Sequence, residues 1–169
     1  MINTRNNKEY TIKPSYSLEI CSRKICNDLT NYGMGEQKTY KNLEIPKMPE
    51  NLIKHFIRGY FDGDGCITGW LAKDSGRIRF RRSFDICGKT NSILIEFINF
   101  FKSNDIKINL NYLKRDDMYR IKTSSKKELI KIFHLLYDDA NYYMSRKYEK
   151  FNHYVNTEDL QLIAEACNA

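Results

Sequence analysis

The sequence predicts an α+β fold in which helices alternate with two antiparallel β-hairpins. Apolar residues recur at helical spacing from residue 50, and they alternate with basic residues over residues 77–87 and again over residues 106–123. Helical spacing returns between the hairpins and after the second one. The predicted order is therefore α-β-β-α-β-β-α-α, and a chain of 169 residues, 41% of them hydrophobic, is long enough to form one core.

The first helix of this order is predicted to begin near Pro49 and to end at Gly65. Pro49 suits the first turn of a helix, and the charge of Glu50 is favourable beside the positive end of the dipole. Asp62 and Asp64 lie at the opposite end, where negative charge opposes the dipole and costs ~0.3–1 kcal/mol per group. A cation is therefore expected nearby, and a divalent metal ion would serve best.

The first hairpin follows this helix and has one basic face. Its second strand, RIRFRRSFDIC, places apolar side chains on one side, and a turn from Asp74 to Gly76 joins it to the strand CITGWL. The opposite side carries Arg77, Arg79, Arg81, Ser83 and Asp85. Such a row of arginines favours contact with DNA, and a solvated outer face is the alternative.

The second hairpin repeats this design after a helix predicted from about Ser92 to Lys102. Its isoleucines point to the core. The residues predicted on the outer side are Lys107, Asn109 and Asn111, then Lys114 and Arg115 in the turn, then Arg120 and Lys122 on the return strand. The arginines of the first hairpin suit guanine edges, and the amides of Asn109 and Asn111 suit adenine edges. Contact with phosphates is expected mostly from Lys114, Arg115, Arg120 and Lys122.

The last predicted helices begin with a capping box at Ser125 to Glu128 and continue at about residues 143–154 and 157–166. Upstream, residues 16–32 predict a strand followed by a helix. The segment LTNYGMGEQKTYKNL resembles LLYDDANYYMSRKYEKF, and this comparison pairs Lys38 with Lys147. We therefore expect residues 1–45 to be a partial first repeat with a linker, and residues 46–169 to be a complete repeat; chance similarity is the alternative.

Composition and charge favour an intracellular protein with a polyanionic partner. The formal net charge is +7, and neither a membrane span nor a secretory leader is predicted. A generally basic surface without a specific partner would give the same charge. The five cysteines are odd in number and lack the spacing of a zinc site, so they are expected to be free and mostly buried thiols.

Residues Ile57 to Gly65, IRGYFDGDG, resemble the nonapeptide that names the LAGLIDADG homing endonucleases. The order of elements from about Tyr16 to Phe151 is similar to that family's αββαββα unit. The resemblance implies a saddle of antiparallel strands that lies in the major groove of double-stranded DNA. It also implies site-specific cleavage that depends on Mg²⁺ or another divalent cation, by an enzyme encoded in a mobile element such as an intron or intein.

The resemblance implies roles for five residues. It places the metal-binding carboxylate on Asp64 and a backbone carbonyl ligand on Gly63. Asp62 falls on the first acidic position, where it is either catalytic or structural at the helix interface. The basic residue near the attacking water falls on Lys147 and, in the partial copy, on Lys38; a lysine there could stabilise the pentavalent phosphate or lower the pKa of a nearby water.

Two-motif members of the family pair two such helices, and this chain has one. Gly59 and Gly63 lie on one stripe with Leu52 and Phe56, and their lack of side chains leaves room for a second helix. The expected partner is a second copy, which would form a homodimer, or a missing N-terminal half. A DNA- or RNA-binding protein without activity, such as a regulator or maturase, and an inactive remnant of a mobile element are the alternative functions.

Overall fold

The computed structural model describes residues 2–5, 8–11, 17, 19–33 and 43–168. Strands β1 (Ile2–Arg5) and β2 (Lys8–Thr11) form an antiparallel hairpin that the sequence analysis does not predict. Residues 16 and 18, expected in a strand, and Lys38, expected as a second active-site lysine, lie outside the described residues. The division of the chain into a partial and a complete repeat therefore stays a prediction.

Helix α1 (Arg23–Asn31) confirms the predicted N-terminal helix but none of its residues is buried. Its first turn is capped by Ser22, whose hydroxyl accepts a hydrogen bond from the Ile25 amide. Ile20, predicted on a strand, lies in irregular structure before the helix. The apolar residues Ile25 and Leu29 are each 44% exposed. The helical spacing of apolar residues in α1 therefore does not form a buried face.

The remaining elements follow the predicted order. The helices are α2 (Glu50–Asp64), α3 (Ser92–Ser103), α4 (Lys126–Tyr137), α5 (Ser145–Asn156) and α6 (Asp159–Cys167). The strands are β3 (Cys66–Asp74), β4 (Arg77–Gly88), β5 (Asn109–Leu113) and β6 (Met118–Thr123). None of the helices in the described ranges is long and apolar enough to cross a membrane.

Strands β3 to β6 form an antiparallel sheet with the order β3-β4-β6-β5. A two-residue turn joins β3 to β4, and both of its residues, Ser75 and Gly76, have positive φ. Such a turn twists in the sense that the flanking strands require, and glycine adopts this conformation without strain. The predicted turn from Asp74 to Gly76 is thus confirmed.

The core lies between one face of this sheet and the helices. Phe61 of α2 stacks on Phe84 of β4 with ring centroids 4.6 Å apart, and Phe151 of α5 lies about 6 Å from both. All three side chains are fully buried. Because Phe61 belongs to the motif helix, this cluster fixes the C-terminal end of α2 against the sheet and against α5.

Arg82 is an exception to the apolar pattern of the core face. It shares that face with Phe80 and Phe84 and is only 3% exposed. Its guanidinium donates to the Tyr154 carbonyl and to the Asp159 carboxylate, and it lies over the Phe80 ring. Arg82 therefore fastens the end of α5 and the start of α6 to the sheet, a role that the run of arginines conceals.

Two smaller expectations are corrected by the structure. The Ser125 hydroxyl accepts a long hydrogen bond from the Glu128 amide, but the Glu128 carboxylate accepts from the Lys107 amide at 2.7 Å. Only half of the capping box thus forms, because Glu128 holds the chain that leads into β5. The cysteines are free, but they are not mostly buried: all are exposed except Cys87, which is half-buried.

Candidate functional site

The outer face of the four-stranded sheet collects the basic residues that strand parity predicts. Residues directly opposite each other on neighbouring strands project to the same side. The pairs are Trp70 with Arg81, Asp85 with Lys122, Asn109 with Lys122 and Asn111 with Arg120. We define the basic face by Trp70, Arg77, Arg79, Arg81, Ser83, Asp85, Asn109, Asn111, Arg120 and Lys122.

Two carboxylates reduce the positive charge of the basic face. Asp74, at the end of β3, lies 3.0 Å from a terminal nitrogen of Arg81 and 3.8 Å from Nε of Arg79. Asp85 lies 3.6 Å from Arg120 Nε and 4.0 Å from Lys122 Nζ. The arginine row thus has an acid beside it that the alternation along β4 alone does not reveal.

Ser83 and Asp85 are more enclosed than the sequence analysis expects. Ser83 is 1% exposed, and its hydroxyl donates to the Asp85 carboxylate. Asp85 Oδ1 and Arg120 Nε are buried and have no hydrogen-bond partner among the described residues. The Asp85 carboxylate therefore holds the Arg120 side chain by charge rather than by a hydrogen bond. Ser83 is too buried to contact a ligand.

The predicted basic residues outside the strands flank the edge strand β5. Lys107 is exposed just before β5, and Lys114 and Arg115 are exposed in the turn between β5 and β6. The opposite side of that turn is held by Asp117, which accepts from Lys89 Nζ at 2.7 Å and from the Tyr112 hydroxyl at 2.7 Å. The turn that presents Lys114 and Arg115 is therefore braced.

Trp70 is a member of the basic face to which the sequence analysis assigns no role. It is 42% exposed, and the ammonium of Lys122 lies 5.8 Å from the ring centroid. A cation at this distance is attracted to the negative face of the indole. Parity would have found Trp70, since it lies two residues after Thr68, the strand neighbour of Ser83.

The C-terminal end of α2 brings Lys147 to the motif. Lys147 Nζ donates to the carbonyl oxygens of Phe61 at 2.6 Å, Gly65 at 2.5 Å and Gly63 at 3.5 Å. The last carbonyls of a helix lack partners within the helix, so an ammonium there satisfies them and offsets the dipole. The cation expected near the aspartates is therefore present within the chain.

Burial lowers the pKa of Lys147 from its ordinary value, while the Asp62 carboxylate opposes that shift. Gly65 allows the tight turn between β3 and the end of α2, whose carbonyls Lys147 binds. A Cβ at Gly65 would lie 2.2 Å from the Phe61 ring, so only glycine fits where α2 turns into β3.

Asp64 and Asp62 have different surroundings. Asp64 is exposed, and its carboxylate has no hydrogen bond or ion pair within the part of the chain that the structure describes. Asp62 is 8% exposed and accepts from the Tyr137 hydroxyl at 2.9 Å and from the Met144 amide at 3.0 Å. Of the two roles expected for Asp62, these contacts favour the structural one, because its carboxylate is not open to a metal or a substrate.

Asp64 and the Gly63 carbonyl are the groups that could hold a metal ion. Both supply oxygen, which suits hard cations such as Mg²⁺ and Ca²⁺. Over the described residues, no group of three or more His, Cys, Asp or Glu side chains is placed to bind a metal. The donors of one chain therefore fit such a cation in kind but not in number.

The predicted helix interface is largely open. A Cβ at Gly59 or at Gly63 would meet no atom within 4 Å, and Leu52 is 43% exposed. Phe56 differs, since its ring packs edge-on against Phe97 with centroids 6.2 Å apart. The stripe of Leu52, Gly59 and Gly63 thus forms a shallow exposed surface along α2, beside the exposed Asp64.

Comparison with known proteins gives matches at the level of structure. No protein-family model and no curated protein matches the chain. The homing endonuclease I-CvuI, solved in complex with its target in the presence of calcium, has a TM-score of 0.55 at 18% identity over 69% of this chain and 76% of its own. The archaeal intron-encoded homing endonuclease I-Vdi141I, complexed with DNA, has a TM-score of 0.52 at 18% identity over 64% and 69%.

A third match is longer than this chain. The LAGLIDADG homing endonuclease I-LtrWI, bound to target DNA, has a TM-score of 0.53 at 17% identity over 71% of this chain, which spans 39% of I-LtrWI. At these identities the likeness is one of fold. This chain therefore has the fold of the LAGLIDADG homing endonucleases, the fold that its nonapeptide motif predicts.

Proposed function

We propose that the protein is a site-specific, metal-dependent endonuclease of the homing type that cleaves double-stranded DNA. The observation that carries this proposal is the end of α2, where the open Asp64 carboxylate and the Gly63 carbonyl lie beside the ammonium of Lys147. Cys66, two residues after Asp64, already belongs to the side of β3 that faces outward with Asp85. A phosphodiester bound on the basic face would thus run close to this end of the helix.

The basic face would bind the DNA. Arg77, Arg79 and Arg81 would contact guanine edges, and Asn109 and Asn111 would contact adenine edges. Lys107, Lys114, Arg115, Arg120 and Lys122 would mostly contact phosphates. If about 6–10 phosphates are neutralised, affinity falls by roughly 10³–10⁵ as salt rises from about 50 to 200 mM.

Asp64 and the Gly63 carbonyl would hold the divalent cation, as the donor chemistry allows. A bound Mg²⁺ would neutralise charge on the phosphate and increase the acidity of a bound water. The matched I-CvuI structures were solved with calcium and with magnesium, which supports a divalent cation here. Lys147, already held against the helix end, would stabilise negative charge that develops on the phosphate.

We further propose that two copies pair through α2. The stripe of Leu52, Gly59 and Gly63 has room for a second helix at close approach, and an isologous pairing would bring two Asp64 carboxylates together. This arrangement would complete the donor set that one chain leaves incomplete. It would also supply one lysine for each DNA strand. A separate N-terminal half could occupy the same surface.

The second candidate function is DNA or RNA binding without cleavage, as in a regulator, a maturase or a remnant of a mobile element. The incomplete donor set of the single described site favours it. Both candidates use the basic face, and they differ only at the end of α2. An experiment that measures binding and cleavage separately therefore distinguishes them.

The test is cleavage of a randomised duplex library in Mg²⁺, with binding followed by tryptophan fluorescence. The chain contains one tryptophan, Trp70, and it lies on the basic face, so its emission should change when a duplex binds. Wild type should cut a defined sequence, and Asp64→Asn should bind that sequence without cutting it. Asp138→Asn removes an exposed carboxylate that caps the C-terminal end of α4 and pairs with His134, and this variant should cut normally.

Binding without cleavage of any library member would support the second candidate. Loss of cleavage in Asp138→Asn to the same degree as in Asp64→Asn would contradict the assignment of Asp64. If neither duplex DNA nor RNA changes the Trp70 emission, both candidates are contradicted.

A further inference from the structure

Asp62 joins three elements that surround the proposed active site. It lies in the last turn of α2 and accepts from the hydroxyl of Tyr137, the last residue of α4, and from the amide of Met144, the residue that caps α5. Burial raises the pKa of Tyr137, so this phenol remains a hydrogen-bond donor at neutral pH. One buried carboxylate thus ties both ends of the α4–α5 connection to α2.

Arg58 strengthens the same connection one turn earlier on α2. It is 8% exposed and donates to the carbonyl of Leu136 at 2.9 Å and to the carbonyl of Tyr142 at 3.1 Å. Arg58 and Asp62 therefore hold residues 136–144 through four hydrogen bonds, three to backbone groups and one to the Tyr137 hydroxyl. Neither side chain lies on the basic face.

The start of α5 depends on Asp62 for its charge balance. Its cap, Met144, has no side-chain oxygen, and no acidic residue occurs in the first turn of α5. The Asp62 carboxylate instead accepts from the Met144 amide, where a negative charge stabilises the positive end of the helix. The position at which α5 begins is thus set by a side chain of α2.

Lys147 lies three residues after Met144, in the first turn of α5, and its amide donates to the Met144 carbonyl at 2.9 Å. Its side chain then returns to α2 and donates to Phe61 and Gly65. A lysine side chain has many rotamers, so the position of its ammonium depends on a fixed backbone. The chain of contacts from Asp62 through Met144 to Lys147 supplies that fixed backbone.

We propose that Asp62 is the positioning residue of Lys147: it fixes the start of α5 and, through it, places the ammonium at the helix end that carries Asp64. This assignment, which rests on the proposed endonuclease function, gives the two aspartates of the motif different tasks. Asp64 binds the metal ion, whereas Asp62 contacts neither the metal ion nor DNA.

The first test compares Asn and Ala at position 62 under single-turnover conditions. In Asp62→Asn the amide oxygen still accepts from Met144, so cleavage should fall by about tenfold or less, since a neutral acceptor bonds more weakly than a carboxylate. In Asp62→Ala the contact is lost, and the rate constant should fall about 10²-fold at unchanged duplex affinity. Asp62→Asn as inactive as Asp64→Asn, or Asp62→Ala as active as wild type, would overturn the proposal.

A double-mutant cycle shows whether Asp62 acts through Lys147. The double variant Asp62→Ala with Lys147→Ala should cleave no more slowly than Lys147→Ala alone, because the ammonium that Asp62 positions is already absent. A residue that only supports the fold would instead add its own loss. The proposal would be contradicted if the fold-loss of cleavage rate in the double variant equalled the product of the losses in the two single variants.

The last test needs no cleavage, so it separates a failure of this inference from a failure of the proposed function. Lysine ammonium groups held by hydrogen bonds exchange slowly enough to appear in ¹H–¹⁵N spectra, and Lys147→Ala identifies the Lys147 signal. That signal should persist in Asp62→Asn and in Tyr137→Phe, which retain the contact to Met144. It should disappear in Asp62→Ala while core methyl signals stay unchanged; persistence there would overturn the proposal.

Discussion

The end of α2 and the basic face differ in which charged groups have partners within the chain. At the end of α2 the cation is engaged internally, since Lys147 is bound to carbonyls, and the anion Asp64 is open. On the basic face the anions are engaged internally, since Asp74 and Asp85 lie among arginines and a lysine, and an excess of cations remains. The first arrangement suits a bound cation and the second suits a polyanion.

The largest effect is expected where the internal cation is removed. Lys147→Met should lower the cleavage rate by about 10²–10³-fold, because a charged donor beside the phosphate is lost. It should also lower the free energy of unfolding by ~1 kcal/mol, since the end of α2 loses its cap. Single-turnover cleavage and urea unfolding measure the two effects.

Lys150→Met is the matched control for this prediction. Lys150 lies on the same helix, and its ammonium is 5.7 Å from the Tyr154 ring rather than at the end of α2. Equal losses of cleavage in Lys147→Met and Lys150→Met would show that the helix end has no special role.

The second prediction uses two neighbouring arginines on opposite faces of β4. Arg82→Ala should lower the free energy of unfolding by ~3 kcal/mol, because a buried guanidinium and its contacts to α5 and α6 are lost. Arg81→Ala should change it by about 0.5 kcal/mol or less, since Arg81 is exposed. Thermal or urea unfolding of both variants provides the measurement.

For DNA binding, the change at Arg81 should have a larger effect than a change at Arg82 that leaves the protein folded. Arg81→Ala should weaken duplex binding and reduce its salt dependence, whereas Arg82→Lys, which keeps a cation on the core face, should bind as wild type does. A duplex affinity for Arg81→Ala equal to that of wild type would contradict the assignment of the basic face.

The third prediction concerns Asp74, the acid beside the arginines of the basic face. Asp74→Asn releases Arg79 and Arg81 from their shared carboxylate, so non-specific duplex binding should strengthen by about fivefold and depend more steeply on salt. Fluorescence titrations of Trp70 at several salt concentrations measure this. Asp138→Asn changes the net charge equally, and equal strengthening by that variant would mean that overall charge, not the face, governs binding.

Local patterns in the sequence predict the elements and the sides of the strands. Alternation along β4 and β6 assigns Arg81 and Lys122 to one face, and the register confirms that their strands carry them on the same side as Trp70. Parity alone could also have placed Arg82 on the core side. The run of arginines around it obscured that conclusion.

Contacts between distant segments were not predictable in this way. Lys147 reaches the carbonyl of Phe61, which is 86 residues earlier, and Asp62 reaches the amide of Met144, 82 residues later. Asp74 lies beside Arg81 only because the turn at Ser75 reverses the chain. The resemblance to a family predicts Asp64, Gly63 and Lys147 as the residues at the helix end, but a spacing rule cannot reveal which of two aspartates is buried.

The smallest expected effect tests whether the end of α2 is complete in one chain. A Cβ at Gly59 would meet no atom within 4 Å, so in an isolated chain Gly59→Ala should raise the free energy of unfolding by ~0.5–1 kcal/mol, as alanine is the better helix former. If α2 of a second copy packs there, the same methyl group separates the helices and weakens the dimer. Sedimentation of wild type and Gly59→Ala over a range of concentrations distinguishes these outcomes, with an exposed position on the same helix, Asn51→Ala, as the control. A wild type that stays monomeric, together with a more stable Gly59→Ala, would contradict the proposed pairing, and among the described residues it would leave one open carboxylate, that of Asp64, at the helix end.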